Sequence, residues 1–274
     1  MDGFALTLEL TAMVNNLLKS QLDTLPLGGW RYEETIGSTN DAALAWVETG
    51  APDLCLVVAD HQTQGRGRFQ RRWITHPGAA LAFSLILRPS KREISYLTRF
   101  SPLGAVAICH ALSTSLGLSA KIKWPNDVLL NEHKVAGILV ENVWTGSDLQ
   151  AVVIGIGINV SPLAIPDPSE LMFPATSLES ILGQPVERWS ILHQILASLI
   201  EWRPRLASPE FQRTWENHLA FKDQWVRISG SIGPDQIGQI TGLDPDGSLR
   251  LRSSSGSQFT VSAGDVSLRP AGEV

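Results

Sequence analysis

Between Lys121 and Val160, short apolar and β-branched runs alternate with tight polar turns, and no other stretch limits the folding of this chain as strongly. Lys121 to Trp124, Val128 to Leu130, Val135 to Val143 and Leu149 to Val160 have strand composition, whereas Pro125-Asn126-Asp127 and Asn131-Glu132-His133 between them have turn composition. Links this short join antiparallel neighbours, so a meander of three or four strands is expected.

Other elements arrange themselves around that meander. Leu54 to Ala59 and Ala79 to Leu87 are further buried-strand runs. Ile94 to Leu118 is helical in pattern, entered around Pro102, with His110 reading as a packed helix residue. Pro162 to Pro174 holds four prolines and reads as a surface loop ahead of two helical segments, Trp189 to Leu206 and Pro209 to Leu219. In the first of these the stripe from Ile191 to Ile200 is core packing. Past Phe221 come four short strands, Trp225 to Ile228, Ile237 to Ile240, Ser248 to Leu251 and Gln258 to Val261, which suggest a small all-β barrel.

The opening, Ala5 to Leu25, has the apolar spacing of one helix and stops near Pro26 and Gly28-Gly29. A helix-turn-helix reader needs about three helices, so no DNA-binding domain is expected there. Ser38-Thr39-Asn40-Asp41 before Ala42 to Trp46 has the form of an N-capped helix, and capping alone would account for its hydroxyls.

With 274 residues, 43% hydrophobic and 18% charged, the chain can bury one sizeable core plus a smaller module. Its two cysteines, Cys55 and Cys109, lie in apolar runs without disulfide or metal-ligand spacing, which suits a reducing compartment. The N-terminus lacks the basic region of a signal peptide and no apolar run reaches transmembrane length, so a cytoplasmic protein without membrane attachment is expected. A net charge of -5 argues against broad nucleic-acid binding.

Against that acidic background, Gly65-Arg66-Gly67-Arg68-Phe69-Gln70-Arg71-Arg72-Trp73 packs four arginines and two glycines into nine residues between two buried strands. Glycines let backbone N–H groups approach a ligand, and guanidinium forks match carboxylate and phosphate oxygens two at a time. Either an anionic small molecule binds here or the segment is a solvated basic loop.

Four more segments accompany the loop: Ser38-Thr39-Asn40, then Lys123 to Asp127, Lys134-Val135-Ala136-Gly137 through Glu141, and Gly155-Ile156-Gly157-Ile158-Asn159. Taken in this order with Gln62, they resemble the biotin protein ligases from about Trp30 to Arg269. The resemblance implies an α+β fold: a mixed, largely antiparallel sheet with flanking helices, related to class II aminoacyl-tRNA synthetases, plus a C-terminal SH3-like β-barrel. The expected divisions are 1–28, an N-terminal helix and link; 29–219, the catalytic domain; and 220–274, the small barrel. The reaction implied joins biotin to ATP, with Mg2+, as biotinyl-5'-AMP. It then transfers biotin to a lysine of the biotin carboxyl carrier protein or domain of acetyl-CoA carboxylase.

Lys134 follows a turn and leads into a strand carrying Gly137, where backbone can lie against a ligand. Joining a carboxylate to an α-phosphate brings two anions together, so a cation is needed where they meet. Lys134 is the candidate, its alternative being a solvated hairpin lysine; Lys123 and Arg68 complete the catalytic set. Biotin is assigned by resemblance to Ser38, Thr39, Asn40, Gln62, Gly65, Arg66, Gly67, Arg68, Lys134 and Gly137. ATP and adenylate are assigned to Arg68, Arg71, Trp73, Lys123, Asn126 and Asn159. Turn chemistry alone explains Pro125-Asn126-Asp127, yet Asn126 and Asp127 are also candidates for Mg2+, with Asp127 alternatively orienting a neighbour.

His61 receives no role, and Gly155 with Gly157 lacks the rest of a dinucleotide fingerprint. The commoner family loop reads Gly-Arg-Gly-Arg-x-Gly-Arg; here Gln70 stands for the third glycine, which implies altered closure or looser retention of adenylate. The resemblance allows a homodimer through an edge of the central sheet. A lipoate or octanoate protein ligase shares the fold and chemistry, but the Arg-Gly loop with Trp73 favours biotin. A bifunctional repressor needs the reader domain, and a silent sensor would lose Lys123 or Lys134.

Overall fold

The structure, a computed structural model, describes residues 14–230, 234–262 and 266–271. Helix α1 is described over 14–22; the earlier part of the expected helix, with Leu6 and Leu10, lies outside the described residues. The chain then builds strand β1 (Gly29–Ile36), helix α2 (Thr39–Glu48), and strands β2 (Cys55–Gln62) and β3 (Ala80–Leu87). A short helix α3 (Lys91–Ile94) precedes the long α4 (Phe100–Leu116). The meander follows as β4 (Lys121–Lys123), β5 (Asp127–Leu130), β6 (His133–Thr145) and β7 (Asp148–Asn159).

These seven strands form one sheet in the order β1-β2-β3-β7-β6-β5-β4. Only the β1–β2 pair is parallel, so the expected mixed, largely antiparallel sheet is what forms. Strand β3 is buried at every position and β7 nearly so, which is why both read as continuous apolar runs. Strand β1 escaped the sequence reading because it is an exposed edge rich in charge, with no alternation to betray it.

From Pro102 to Cys109 helix α4 is apolar on all sides because it is covered there by the sheet and by α6 (Arg188–Trp202), while His110 and Ser113 to Ser115 near its end are exposed. It stops at Gly117, whose φ of +66° takes the left-handed cap that β-carbons resist. Helix α6 ends earlier than the expected segment Trp189 to Leu206: Pro204 lacks the N–H an α-helix needs, and the chain tightens into a 3-10 turn over Arg203–Arg205. A short α5 (Leu178–Leu182) and α7 (Pro209–Asn217) complete the helices described.

The opposite sheet face carries α2 over a smaller apolar cluster built on Ala43, Val47, Val57 and Val153. Beyond α2 that face is lined by small residues. Ala82 pairs with Gly157, Ser84 with Gly155, and Gly137 with Gly157, so three adjacent strands present almost no side-chain volume. A trough results, floored by backbone.

Residues past 220 form a second, five-stranded antiparallel sheet, ordered β11-β10-β9-β8-β12, consistent with an SH3-like module. Its strands are β8 (Trp225–Gly230), β9 (Gln236–Leu243), β10 (Leu249–Arg252), β11 (Gln258–Val261) and β12 (Val266–Pro270). Two bonds pin the module to the first: Trp124 Nε1 donates to the Gly247 carbonyl at 3.1 Å in a buried contact, and Arg99 donates to the Pro245 carbonyl at 2.7 Å. Among the described residues no helix is long and apolar enough to cross a membrane.

Candidate active site

The trough is closed above by the 65–73 loop, which is itself a small hairpin. Trp73 N donates to the Gly65 carbonyl at 2.8 Å and Gly67 N to the Arg71 carbonyl at 2.7 Å. A β-carbon at Gly65 would run into the Trp73 carbonyl, so this tight closure requires glycine. At its tip Phe69 and Gln70 take φ of +56° and +58°, a left-handed turn built from two residues that resist it.

At one end of the trough, the start of α2 meets the end of β2. Ser38 caps the helix, its hydroxyl 3.5 Å from Asp41 N. Thr39 donates its backbone N–H and its hydroxyl to Gln62 Oε1 at 2.8 and 3.1 Å. Ser84 Oγ lies 2.8 Å from Thr39 Oγ1 and 2.5 Å from Asn40 Oδ1, and its single proton serves both. All of these side chains are buried, so the polar pocket wall is fixed by its own hydrogen bonds. A β-carbon at Gly155 would collide with Asn40, so the glycine makes room for the amide.

Charge concentrates where β4, β5 and β6 begin and end. Asp127 lies between two lysines, with Lys134 Nζ 2.6 Å from Oδ1 and Lys123 Nζ 3.4 Å from Oδ2. Burial works to raise the Asp127 carboxyl, and the two ammonium groups overcome it, so its pKa lies below the usual value. Burial lowers the Lys123 amine below its ordinary value, and Asp127 only partly opposes that. Lys134 also stands 5.6 Å from the Trp73 ring centre, at the point where the trough meets a second cavity.

That second cavity holds Asn159 and Phe173 on its walls and shares Arg71, Trp73, Lys123, Asp127 and Lys134 with the first. Asn159 lies in it and not in the trough, its Nδ2 donating to the Thr176 carbonyl at 3.1 Å. Arg68 reaches from the loop to Asn126 Oδ1 at 3.2 Å, while Asn126 Nδ2 donates to the Ile138 carbonyl at 2.9 Å. His61 is held by Thr75, with Nδ1 and Oγ1 3.2 Å apart.

The Asn126–Asp127 pair does not fit a protein-held magnesium ion. A cation beside two ammonium groups is repelled, the Asp127 oxygens are both engaged, and the Asn126 oxygen already accepts from a guanidinium. No group of three or more metal-ligating His, Cys, Asp or Glu side chains occurs among the described residues. The contacts favour the other reading of Asp127, a carboxylate that orients its neighbours.

The structure therefore brings the predicted residues to one trough and its adjoining cavity, with Gly65 serving through backbone. Sequence reasoning missed Phe173 and Leu268, which line the second cavity, and Ser84, which is buried behind the pocket wall and holds Thr39 and Asn40. For Ser84 a signal existed: one hydroxyl in the otherwise apolar strand Ala80–Leu87. Leu268 sits on β12, too polar a segment to read as a strand.

Comparison with known proteins agrees with this geometry. The model described as the biotin/lipoate A/B protein ligase family matches residues 32–159, and that described as the biotin protein ligase C terminal domain matches 232–269. The chain is 32% identical to the biotin--[acetyl-CoA-carboxylase] ligase of Paracoccus denitrificans, covering 82% of this chain and 95% of that one. It is also 32% identical to the bifunctional ligase/repressor BirA of Bacillus spizizenii, covering 86% and 73%. A solved biotin protein ligase from Aquifex aeolicus, in complex with biotin and ATP, superposes with a TM-score of 0.76 at 28% identity, covering 89% of this chain and 99% of that one.

Proposed function

The chain belongs to the biotin/lipoate A/B protein ligase family, and from that premise we infer that it acts as a biotin protein ligase. The observation that carries the reading is the Lys134 ammonium where two cavities join, one ending at the neutral hydrogen-bonding groups Ser38, Thr39, Asn40 and Gln62 and the other reaching Asn159 and Phe173, with the cations Arg71, Lys123 and Lys134 lining both. Biotin, an apolar bicycle with a ureido group, suits the first, and a nucleotide triphosphate suits the second.

In the first half-reaction a biotin carboxylate oxygen attacks the α-phosphorus of Mg-ATP. The bond from that phosphorus to the bridging oxygen breaks, pyrophosphate leaves, and biotinyl-5'-AMP remains. Lys134 neutralises the meeting of the two anions, and Lys123 and Arg71 hold phosphate oxygens. Arg68 caps the reacting centre from the loop, where its contact with Asn126 supports a closed position. Magnesium arrives as part of the nucleotide substrate.

In the second half-reaction the neutral amine of an acceptor lysine attacks the biotinyl carbonyl carbon, the C–O bond to the phosphate breaks, and AMP leaves. The amine's extra proton passes to solvent. The acceptor we propose is the biotin carboxyl carrier domain of a carboxylase. Asp127 has no chemical part; it holds Lys134 and Lys123 in place. Ser38, Thr39, Asn40 and Gln62 orient the ureido end, and Trp73 covers the ring.

The deciding experiment is pyrophosphate–ATP exchange by purified protein with biotin, lipoate, octanoate or no acid. Exchange that depends on biotin alone supports the reading; exchange with lipoate or octanoate moves the chain to the sister activity, and none with any acid removes the ligase assignment.

A further inference from the structure

We propose that Glu141 is a positioning residue for this reaction, a carboxylate that couples closure of the 65–73 loop to the pocket wall. The proposal rests on the ligase reading above. Glu141 sits on β6 four residues past Gly137, and it lines neither cavity.

Its contacts connect the loop to the buried amide of the pocket wall. Arg66 grips it with both prongs, Nη1 to Oε1 at 3.0 Å and Nη2 to Oε2 at 2.8 Å. The same Oε2 accepts from Asn40 Nδ2 at 2.7 Å, and Asn40 is the buried amide held from its other end by Ser84. Arg66 Nη2 also donates to Asp41 Oδ1 at 2.6 Å, so the guanidinium is anchored at the start of α2 as well as on the sheet.

An isolated surface ion pair would count for little, but this one is bidentate and shares an oxygen with a buried donor, so its geometry is set from both sides. When the loop lifts, Arg66 must leave Glu141, and Asn40 then holds its carboxylate alone. Opening therefore loosens the pocket wall, and a bound ligand that orders Asn40 tightens the loop in return. Retention of the reactive biotinyl-5'-AMP is where this coupling acts.

Glu141→Gln tests it, because the amide keeps an acceptor for Asn40 and loses the charged fork for Arg66. We expect bound biotinyl-5'-AMP to leave the variant about tenfold faster than wild type, as loss of one charge-assisted pair implies. Trypsin should also nick the arginine loop several-fold faster (about threefold or more) in the ligand-free variant, on the same reasoning about local opening. In a cycle with Arg66→Gln, the double variant should release adenylate no faster than Arg66→Gln alone.

A folded Glu141→Gln protein with wild-type release and wild-type nicking overturns the proposal. So does a lowered melting temperature with both unchanged, the signature of a merely structural residue. If wild type forms no adenylate from biotin, the ligase reading fails instead, and the nicking comparison alone decides whether Glu141 secures the loop.

Discussion

Gly137 and Gly157 are register partners on β6 and β7, and the indole of Trp73 lies against both. A methyl group at 157 would overlap the indole ring, and one at 137 would press on it at 3.3 Å. Trp73 Nε1 is buried and has no acceptor among the described residues.

Gly157→Ala should push Trp73 off its glycine bed. Overpacking of this kind costs about 1–3 kcal/mol, and here it falls on the wall between the two cavities. The Michaelis constant for biotin in pyrophosphate exchange should rise about tenfold or more, with 1.4 kcal/mol counting as one decade. An unchanged constant would mean the indole does not bear on the ligand.

Lys134→Ala should abolish exchange and also destabilise the protein, because it leaves Asp127 buried with only the more distant Lys123. The loss of stability should be about 1–3 kcal/mol, below a fully buried pair because the Lys134 side chain is partly exposed. Adding Asp127→Asn should restore much of the melting temperature and none of the activity. Recovery of exchange in the double variant would remove Lys134 from the chemistry.

The pH profile should separate the two lysine contacts. Burial gives Lys123 a pKa below the ordinary 10.5, so exchange that depends on its ammonium should fail on an alkaline limb that begins below pH 10.5. Asp127→Asn removes the charge that opposes burial, and the limb should move further down. For stability the sign is reversed in origin: the Asp127 carboxyl is depressed, so its contribution is complete above its ordinary 3.8 and lost as pH falls through the lower folded value. Acid unfolding of Asp127→Asn should therefore be less steep below pH 3.8 than that of wild type.

Gln70→Gly should strengthen loop closure. Gln70 holds φ at +58°, a conformation that costs an ordinary residue about 1–2 kcal/mol and glycine almost nothing. Bound biotinyl-5'-AMP should leave the glycine variant more slowly, as measured by its dissociation half-life. Equal or faster release would show that the glutamine side chain contributes to retention.

The meander was legible because prolines and asparagines mark its turns and β-branched residues mark its strands. Gln70 stood out as a departure, but only the backbone angle explains why glycine suits that position. Asp127 between two lysines was out of reach of spacing arguments. Lys123 and Asp127 are close through their turn, whereas the approach of Lys134 depends on the β5–β6 register and its irregularity between Val128 and Leu129. Strand β1 escaped because an edge strand facing water needs no apolar alternation. Ser84 shows the converse, a buried polar residue whose meaning lies in partners more than forty positions away.

The hydrogen bond from Trp124 to the Gly247 carbonyl ties the neighbour of Lys123 to a turn in the other module. Leu268, from that same module, lines the cleft. Evolution is therefore not free to exchange the small sheet as a cassette. A graft from a relative that displaces the 245–247 turn would strand a buried indole N–H next to Lys123, so the two modules should be inherited, and engineered, as a matched set.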